Sequence, residues 1–402
     1  MKPRVAIVCD WLVSRGGAER VIEELAMLYP EAPIYTTIYN EAELPEFKDR
    51  DVRTSFLQRA PFSKSKHHLY LPLMPYAVEQ FDLSEFDIVI SSAHSVAKGV
   101  ITKPYTMHVS YCHSPMRYCW DGCHEYFERF GLNWAMRIPA RHILHNMRIW
   151  DRASADRVDY FITNSEYVKD RIAKYYRRKA TVIHPPVDTS TFTLPQNIEE
   201  PGQYYLAIGR LTPYKRFDLI IDTFNELKLP LLIVGTGKQE AELRRKAGRF
   251  ITFLGKISDE ELVRMYQKAK ALIFPQKEDF GITPLEAMSC GVPVIAYGEG
   301  GALETIIHKK TGLLFKEQSL DSLKGAVLAA DKIQWDKLSI HAHAEKFNRK
   351  NFQEKFQRHI DELWEEWNKG VIPQFENFTD REQISTKKVK KDFADMQIPQ
   401  NR

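Results

Sequence analysis

The sequence predicts an α/β protein made of two Rossmann-like, doubly wound parallel-sheet domains. Three observations carry that expectation. Short apolar runs alternate with amphipathic stretches along most of the chain, the pattern of a parallel sheet covered by helices. The alternation pauses at a Pro-rich, polar stretch over 185–202 and then restarts with the same rhythm. The chain also has 402 residues, 44% of them hydrophobic and 12% aromatic, enough for two or three cores.

Strands are expected at 5–9, 88–91, 108–112, 161–163 and 181–183 in the first half. The second half places them at 204–208, 231–234, 251–254, 271–274, 294–296 and 313–315. No short sequence repeat relates the halves, so their likeness is architectural. The expected division is a first domain over 1–190 and a second over 191–350. A closing helix over 351–369 follows from FQEKFQRHIDELWEEW, where apolar residues recur at helical spacing. The charged remainder, 370–402, reads as a disordered tail. For its run Lys387-Lys388-Val389-Lys390-Lys391, a solvated tail is a simpler reading than a membrane or partner contact.

Composition narrows the function. The 57 Lys and Arg against 53 Asp and Glu leave a net charge of +4, too small to argue for nucleic acid. Five cysteines do not make a disulfide scaffold and fit a reducing cytosol. The basic start meets a short apolar run that ends at Asp10, unlike a signal peptide. No apolar run reaches the roughly 18 residues of a membrane span. A cytoplasmic chain, at most peripheral on the inner face of the membrane, is expected.

The densest chemistry lies in 274–296, FPQKEDFGITPLEAMSCGVPVIA. A strand ends at Phe274 and a polar loop with Gly281 follows. Thr283-Pro284-Leu285-Glu286 then predicts a helix start, with Thr283 as N-cap, Pro284 at N1 and Glu286 completing a capping box. Cys290-Gly291 stops the helix. A strand end, a glycine loop and a helix N-terminus together suit an anion. Glu278 and Glu286 bracket the loop and are expected to face one pocket from opposite sides, accepting hydrogen bonds from sugar or ribose hydroxyls. Taken alone, a capping Glu286 and a solvated Glu278 are an equal reading.

Gly209-Arg210-Leu211-Thr212-Pro213-Tyr214-Lys215-Arg216 leaves another strand end and leads into a helix from Phe217. Arg210 and Lys215 would there neutralise a diphosphate at the sheet's carboxyl edge. Near the first strand, Gly16-Gly17 forms neither G-x-G-x-x-G nor a Walker loop, and reads as a place where substrate approaches backbone. His113, at a third strand end, can both donate and accept. Cys112, Cys119, Cys123 and His124 match no paired Cys-x-x-Cys pattern, so no metal site is expected.

In this order these residues resemble the retaining glycosyltransferases of family 4, formerly group 1, which have the GT-B fold. The resemblance rests on Glu278 and Glu286 as E-x7-E, Gly16-Gly17, His113, Arg210 with Lys215, PLEAMSCGVPVIA, and Val182-Ile183-His184-Pro185-Pro186-Val187-Asp188. It reaches to about Asn368 and excludes the tail. It implies two facing domains, with a nucleotide-sugar donor on the C-terminal one. Arg210 and Lys215 would hold the diphosphate, Glu286 the ribose and Glu278 the donor sugar. Backbone at Phe280, Gly281, Ile282 and Thr283 would complete the site. Gly16 and Gly17 would lie near acceptor or phosphate, and His113 would reach the reacting sugar. Gly235, Lys256 and Ile257 would frame the base. The resemblance further implies that the departing phosphate helps deprotonate the acceptor, with no metal or cofactor. Asp10 as a base is allowed by its position, but nothing requires it.

YCHSPMRYCWD and LTPYKRFDLIIDTFN are similar to the O-antigen mannosyltransferase branch, which implies GDP-mannose as donor. UDP-glucose or UDP-galactose stays open. The implied acceptor is a saccharide or lipid-linked saccharide of polysaccharide or lipopolysaccharide assembly. Over 134–179, basic residues such as Arg137, Arg141, Arg148 and Arg152 interleave with Trp134, Ile138, Leu144 and Trp150. That suits an anionic bilayer surface and equally suits an ordinary half-buried helix. A sugar-nucleotide epimerase, a pyridoxal-phosphate-dependent phosphorylase and a non-catalytic binding module are the competing classes. Glu278, Glu286 and His113 together disfavour the last.

Overall fold

The computed structural model describes residues 2–123, 134–197 and 203–370. His124 and the expected disordered tail, with its lysine run, lie outside the described residues. Two compact units are present: Met1–Pro185 joined by the chain from Phe352, and Pro186–Asn351.

The first unit is built on seven parallel strands: β1 (Val5–Cys9), β2 (Ile34–Thr36), β3 (Val52–Thr54), β4 (Ile88–Ala93), β5 (Met107–Cys112), β6 (Tyr160–Thr163) and β7 (Thr181–Val182). Their order is β3-β2-β1-β4-β5-β6-β7. Sequence reading missed β2 and β3, which at three residues each are too short to show a period. Successive residues face opposite sides of the sheet. Ile7, Cys9 and Ile90 enter one core, while Ala6, Val8 and Val89 enter the other.

The helices Gly17–Leu28 and Arg349–Asn368 cover the first of these faces. The second bears Phe352, Phe356, Ile360 and Leu363 on one buried stripe, as the expected closing helix requires. Its Phe352 and Phe356 rings meet Tyr111 at 6.1 and 6.3 Å. The opposite face is covered by the segment 55–79 and by the helix Trp134–Ser154.

The second unit has six parallel strands: β8 (Tyr204–Ile208), β9 (Leu231–Val234), β10 (Ile251–Gly255), β11 (Ala269–Phe274), β12 (Val294–Tyr297) and β13 (Gly312–Phe315), in the order β10-β9-β8-β11-β12-β13. All six expected strands are present, four of them longer by one or two residues. Strand order reverses between β1 and β4 in the first sheet and between β8 and β11 in the second. At such reversals the flanking loops splay apart and leave a crevice beyond the carboxyl ends of the strands.

Candidate functional site

In the second unit the loops that leave β8 and β11 bring two predicted residues into contact. The Lys215 ammonium donates to a carboxylate oxygen of Glu278, and both side chains are more than four-fifths buried. Burial alone would lower the Lys215 pKa. The charge of Glu278, that of Tyr214 and the hydrogen bond to Glu278 together outweigh it, so the ammonium is held above its usual range. Arg210 is exposed on the same loop, near enough to oppose that rise.

Backbone packing fixes these loops. A Cβ on Gly235 would meet the Gly209 carbonyl at 2.0 Å, so β8 and β9 end in near contact. Gly235 N–H donates to Gly255 at 2.7 Å, and Leu211 N–H to Thr236 at 2.9 Å. The turn at Glu278 is clamped by Gly300 and Gly301, where Cβ atoms would meet the carbonyls of Glu278 and Phe280 at 2.3 and 2.2 Å. Gly301 N–H donates to the Glu278 carbonyl at 3.0 Å. Sequence reading did not single out these two glycines; their signal was Gly298-Glu299-Gly300-Gly301 straight after a strand on this edge. Lys256 is exposed and Ile257 half-buried just after β10.

The helix that follows corrects two expectations. It runs Ile282–Ser289 with Gly281 as N-cap, and no side chain caps it. Gly281 has φ of 90°, a left-handed turn that a side chain would resist, so the helix starts before Thr283. Pro284 falls at N3, where a missing N–H is still harmless. Glu286 is therefore inside the helix and completes no capping box. It is buried and accepts from the Tyr266 hydroxyl at 3.3 Å. The two glutamates thus differ: Glu278 is bound to Lys215, and Glu286 lies beneath its helix. Phe280 is buried, and Ile282 and Thr283 are half-buried at the helix start.

The first unit builds a polar cluster at its own strand reversal. Asp10, at the end of β1, is fully buried, and its carboxylate accepts N–H bonds from His94, Ser95 and Ala97 at 2.7, 3.0 and 2.7 Å. His94 Nδ1 lies 2.9 Å from the same carboxylate. Burial would raise the Asp10 pKa, but the His94 charge and these donors bring it below its usual value. His94 is correspondingly held high: burial lowers it, and Asp10 more than compensates. So committed, Asp10 ties the loop after β4 to the end of β1; the reading of it as a base does not fit. His94 itself was missed, although it directly follows a strand end, Ile-Ser-Ser-Ala, much as His113 does.

His113 sits at the end of β5 with Nε2 2.8 Å from Ser92 Oγ, and its carbonyl accepts from Asn164 at 3.0 Å. The His113 and His94 rings lie 6.5 Å apart. Gly16 is the N-cap of the helix that begins at Gly17, with extended φ. Burial pushes the Cys112 thiol up to about 12, and Cys119 higher. Among the described residues, no three His, Cys, Asp or Glu side chains converge on a metal position.

Comparison with known proteins follows the same division of the chain. A family model described as Glycosyltransferase Family 4 matches residues 15–191, and one described as Glycosyl transferases group 1 matches 191–346. The O-antigen chain mannosyltransferase RfbU of Salmonella typhimurium is 34% identical over 166 residues, 36% of this chain and 43% of that protein. A GDP-mannose-dependent alpha-(1-6)-phosphatidylinositol monomannoside mannosyltransferase of Mycobacterium tuberculosis is 30% identical over 225 residues, covering 49% and 57%. The chain spans about half the length of the curated relatives it matches. The crystal structure of Anabaena HepE in complex with UDP-glucose shares the fold, with TM-score 0.66, 16% identity and coverage of 89% and 100%.

Proposed function

The chain belongs to the group 1, family 4 glycosyl transferases of GT-B fold, and on that premise we propose that it transfers a hexose from a nucleotide sugar. Mannose from GDP-mannose is the donor we favour. The acceptor is a saccharide or lipid-linked saccharide of polysaccharide assembly at the cytoplasmic membrane surface. Relatives named as mannosyltransferases support the sugar. No helix among the described residues is long and apolar enough to cross a membrane.

The observation that carries this reading is the Lys215–Glu278 contact at the β8–β11 reversal, held by the Gly300-Gly301 clamp. It sets a cation and a carboxylate side by side before any ligand arrives. A nucleotide sugar needs that pair, because an anionic diphosphate adjoins a ring of neutral hydroxyls. Lys215 and Arg210 take the diphosphate, helped by the N-terminus of Ile282–Ser289. Glu278 accepts from the sugar hydroxyls.

As the bond from C1 to the phosphate oxygen breaks, its electron pair stays on the nucleoside diphosphate. The acceptor oxygen joins C1 on the same face and its proton passes to the departing phosphate, so configuration is retained. Charge fixed in advance lowers this barrier without reorganisation. The cations also supply the neutralisation a divalent ion would give, so turnover should persist in chelator.

The test is a thermal-shift panel of GDP-mannose, GDP, UDP-glucose and UDP-galactose, since a bound ligand stabilises by mass action. Stabilisation by GDP-mannose is expected, together with nucleoside diphosphate release that requires an acceptor. A response to UDP-sugars alone would move the donor. Turnover of the donor to an epimeric nucleotide sugar without any acceptor would favour an epimerase, and no response to any nucleotide would overturn the reading.

A further inference from the structure

We propose that the first unit carries a second small-molecule site, where the helix Trp134–Ser154 meets the segment leaving β5, for a phosphate monoester borne on a flat apolar body. No residue of the sugar chemistry proposed above lines it, so the two readings stand or fall separately.

An open cavity of about 600 Å³ lies at that junction. Small-ligand pockets span roughly 300–1,000 Å³ and combine apolar walls with a few fixed polar groups. Here the helix contributes His145, Arg148, Ile149, Arg152 and Ala153, and the segment contributes Trp120. Spacings of three and four residues place the five helical positions on one stripe. Ile149 on that stripe is 57% exposed, so the apolar wall is open to a ligand.

Trp120 is a wall fixed in advance. Its ring stacks on Tyr175 at 4.7 Å with 18° between the planes, and its Nε1 donates to Asp151 at 2.7 Å. Arg148 Nε donates to the Cys119 carbonyl at 2.6 Å, which sets its guanidinium 5.8 Å from the centre of the Trp120 ring. The two terminal nitrogens of Arg148 have no acceptor among the described residues, and the exposed His145 ring makes no hydrogen bond among them.

Charge and shape select the ligand. Asp156, the one carboxylate of the lining, is already paired with Arg152 at 2.7 Å. Two guanidiniums against one carboxylate leave the site positive. An Arg fork grips a phosphate through parallel N–H bonds, and a phosphate monoester brings nearly two charges where a carboxylate brings one. Trp120 and Ile149 then cover the flat body beside it. Occupancy would also tighten the segment that follows His113. Arg171 holds its two ends, donating to Ser114 Oγ at 2.5 Å and to Asp121 at 2.7 Å, and Arg148 holds its middle.

The test is calorimetry of the full chain with naphthyl phosphate, naphthol and inorganic phosphate. Naphthyl phosphate should bind, and each of the other two, lacking one half of the ligand, should bind at least about tenfold more weakly. Arg148→Gln with Arg152→Gln should weaken naphthyl phosphate about tenfold or more, and Ile149→Glu should do the same by setting a carboxylate in the site. Ile149 is exposed, so Ile149→Glu should keep the wild-type melting temperature and decides the matter even where the double variant folds poorly. Hydrogen exchange of amides over 116–122 should slow when naphthyl phosphate is bound. No binding of naphthyl phosphate to the wild type would overturn the proposal, as would undiminished binding by Ile149→Glu. Binding lost in Lys215→Ala but kept in the cavity variants would assign the anion to the β8–β11 site and refute it.

Discussion

Burial lowers the pKa of both Lys215 and His108, and their neighbours decide opposite outcomes. Lys215 stays charged because Glu278 and Tyr214 together more than offset its desolvation, so the site meets an anion without first taking up a proton. Lys215→Ala should weaken GDP binding by about 3 kcal/mol, roughly a hundredfold, with the fold intact; unchanged affinity by calorimetry would remove Lys215 from the site. For His113→Ala we expect lost turnover with GDP affinity kept, and normal turnover would end its assignment. His108 has no compensating carboxylate. Burial first, then the charges of Lys98, Arg178 and Arg157, lower its pKa to about 4, against a pull upward from the Arg157 carbonyl. The unfolded chain takes up that proton near 6.5 and the folded chain only near 4. Stability present above about pH 6.5 is therefore lost as pH falls, by about 2 kcal/mol between about pH 7 and pH 5. His67, also held at about 4, adds to the same trend. Denaturant melts should show His108→Gln losing less stability than wild type over that interval, and equal losses would refute the assignment. Residue identity was legible for Lys215 and Glu278 because charge on a strand-end loop stands out. Burial was not, so Glu286 was expected to complete a capping box beside its expected ribose contact, and the Asp10–His94 pair escaped notice.

Strands and loops were legible to different degrees. Every strand of four or more residues announced itself as an apolar run, while β2 and β3 did not, because three residues carry no pattern and depend on neighbours for pairing. The helix Ile282–Ser289 was visible but its start was misplaced, since Thr-Pro-x-Glu imitates a capping box and the left-handed Gly281 leaves no mark in sequence beyond being glycine. Close backbone approach is likewise silent until folded, which yields a matched pair of predictions. Gly301→Ala sets a Cβ 2.2 Å from the Phe280 carbonyl and should cost about 3 kcal/mol or more, loosening the turn that carries Glu278. Gly325→Ala, in the helix Leu320–Ala330, meets nothing within 4 Å and should stabilise by about 0.5–1 kcal/mol. Chemical denaturation of both variants decides the point; if Gly301→Ala is as stable as wild type, the clamp does not hold the turn.

Chain order and spatial order part company at the scale of the whole molecule. The restart of the strand rhythm after 202 announced two units, and both strand reversals carry the residues that chemistry singled out. The last helix follows the second unit in sequence, yet from Phe352 onward it belongs to the first. That membership is an energetic statement. Phe352, Phe356, Ile360 and Leu363 are buried against Tyr111 and the core of β1, β4 and β5, so removing one ring opens a cavity there. Phe356→Ala should cost the first unit about 3–5 kcal/mol. Because stability is distributed by cooperative units, native-state hydrogen exchange should report that loss locally. Amides of β1, β4 and β5 should lose protection while those of β8 and β11 keep theirs. Equal loss across both sheets would mean that the units unfold as one cooperative body, and that the closing helix stabilises the chain as a whole instead of its first unit.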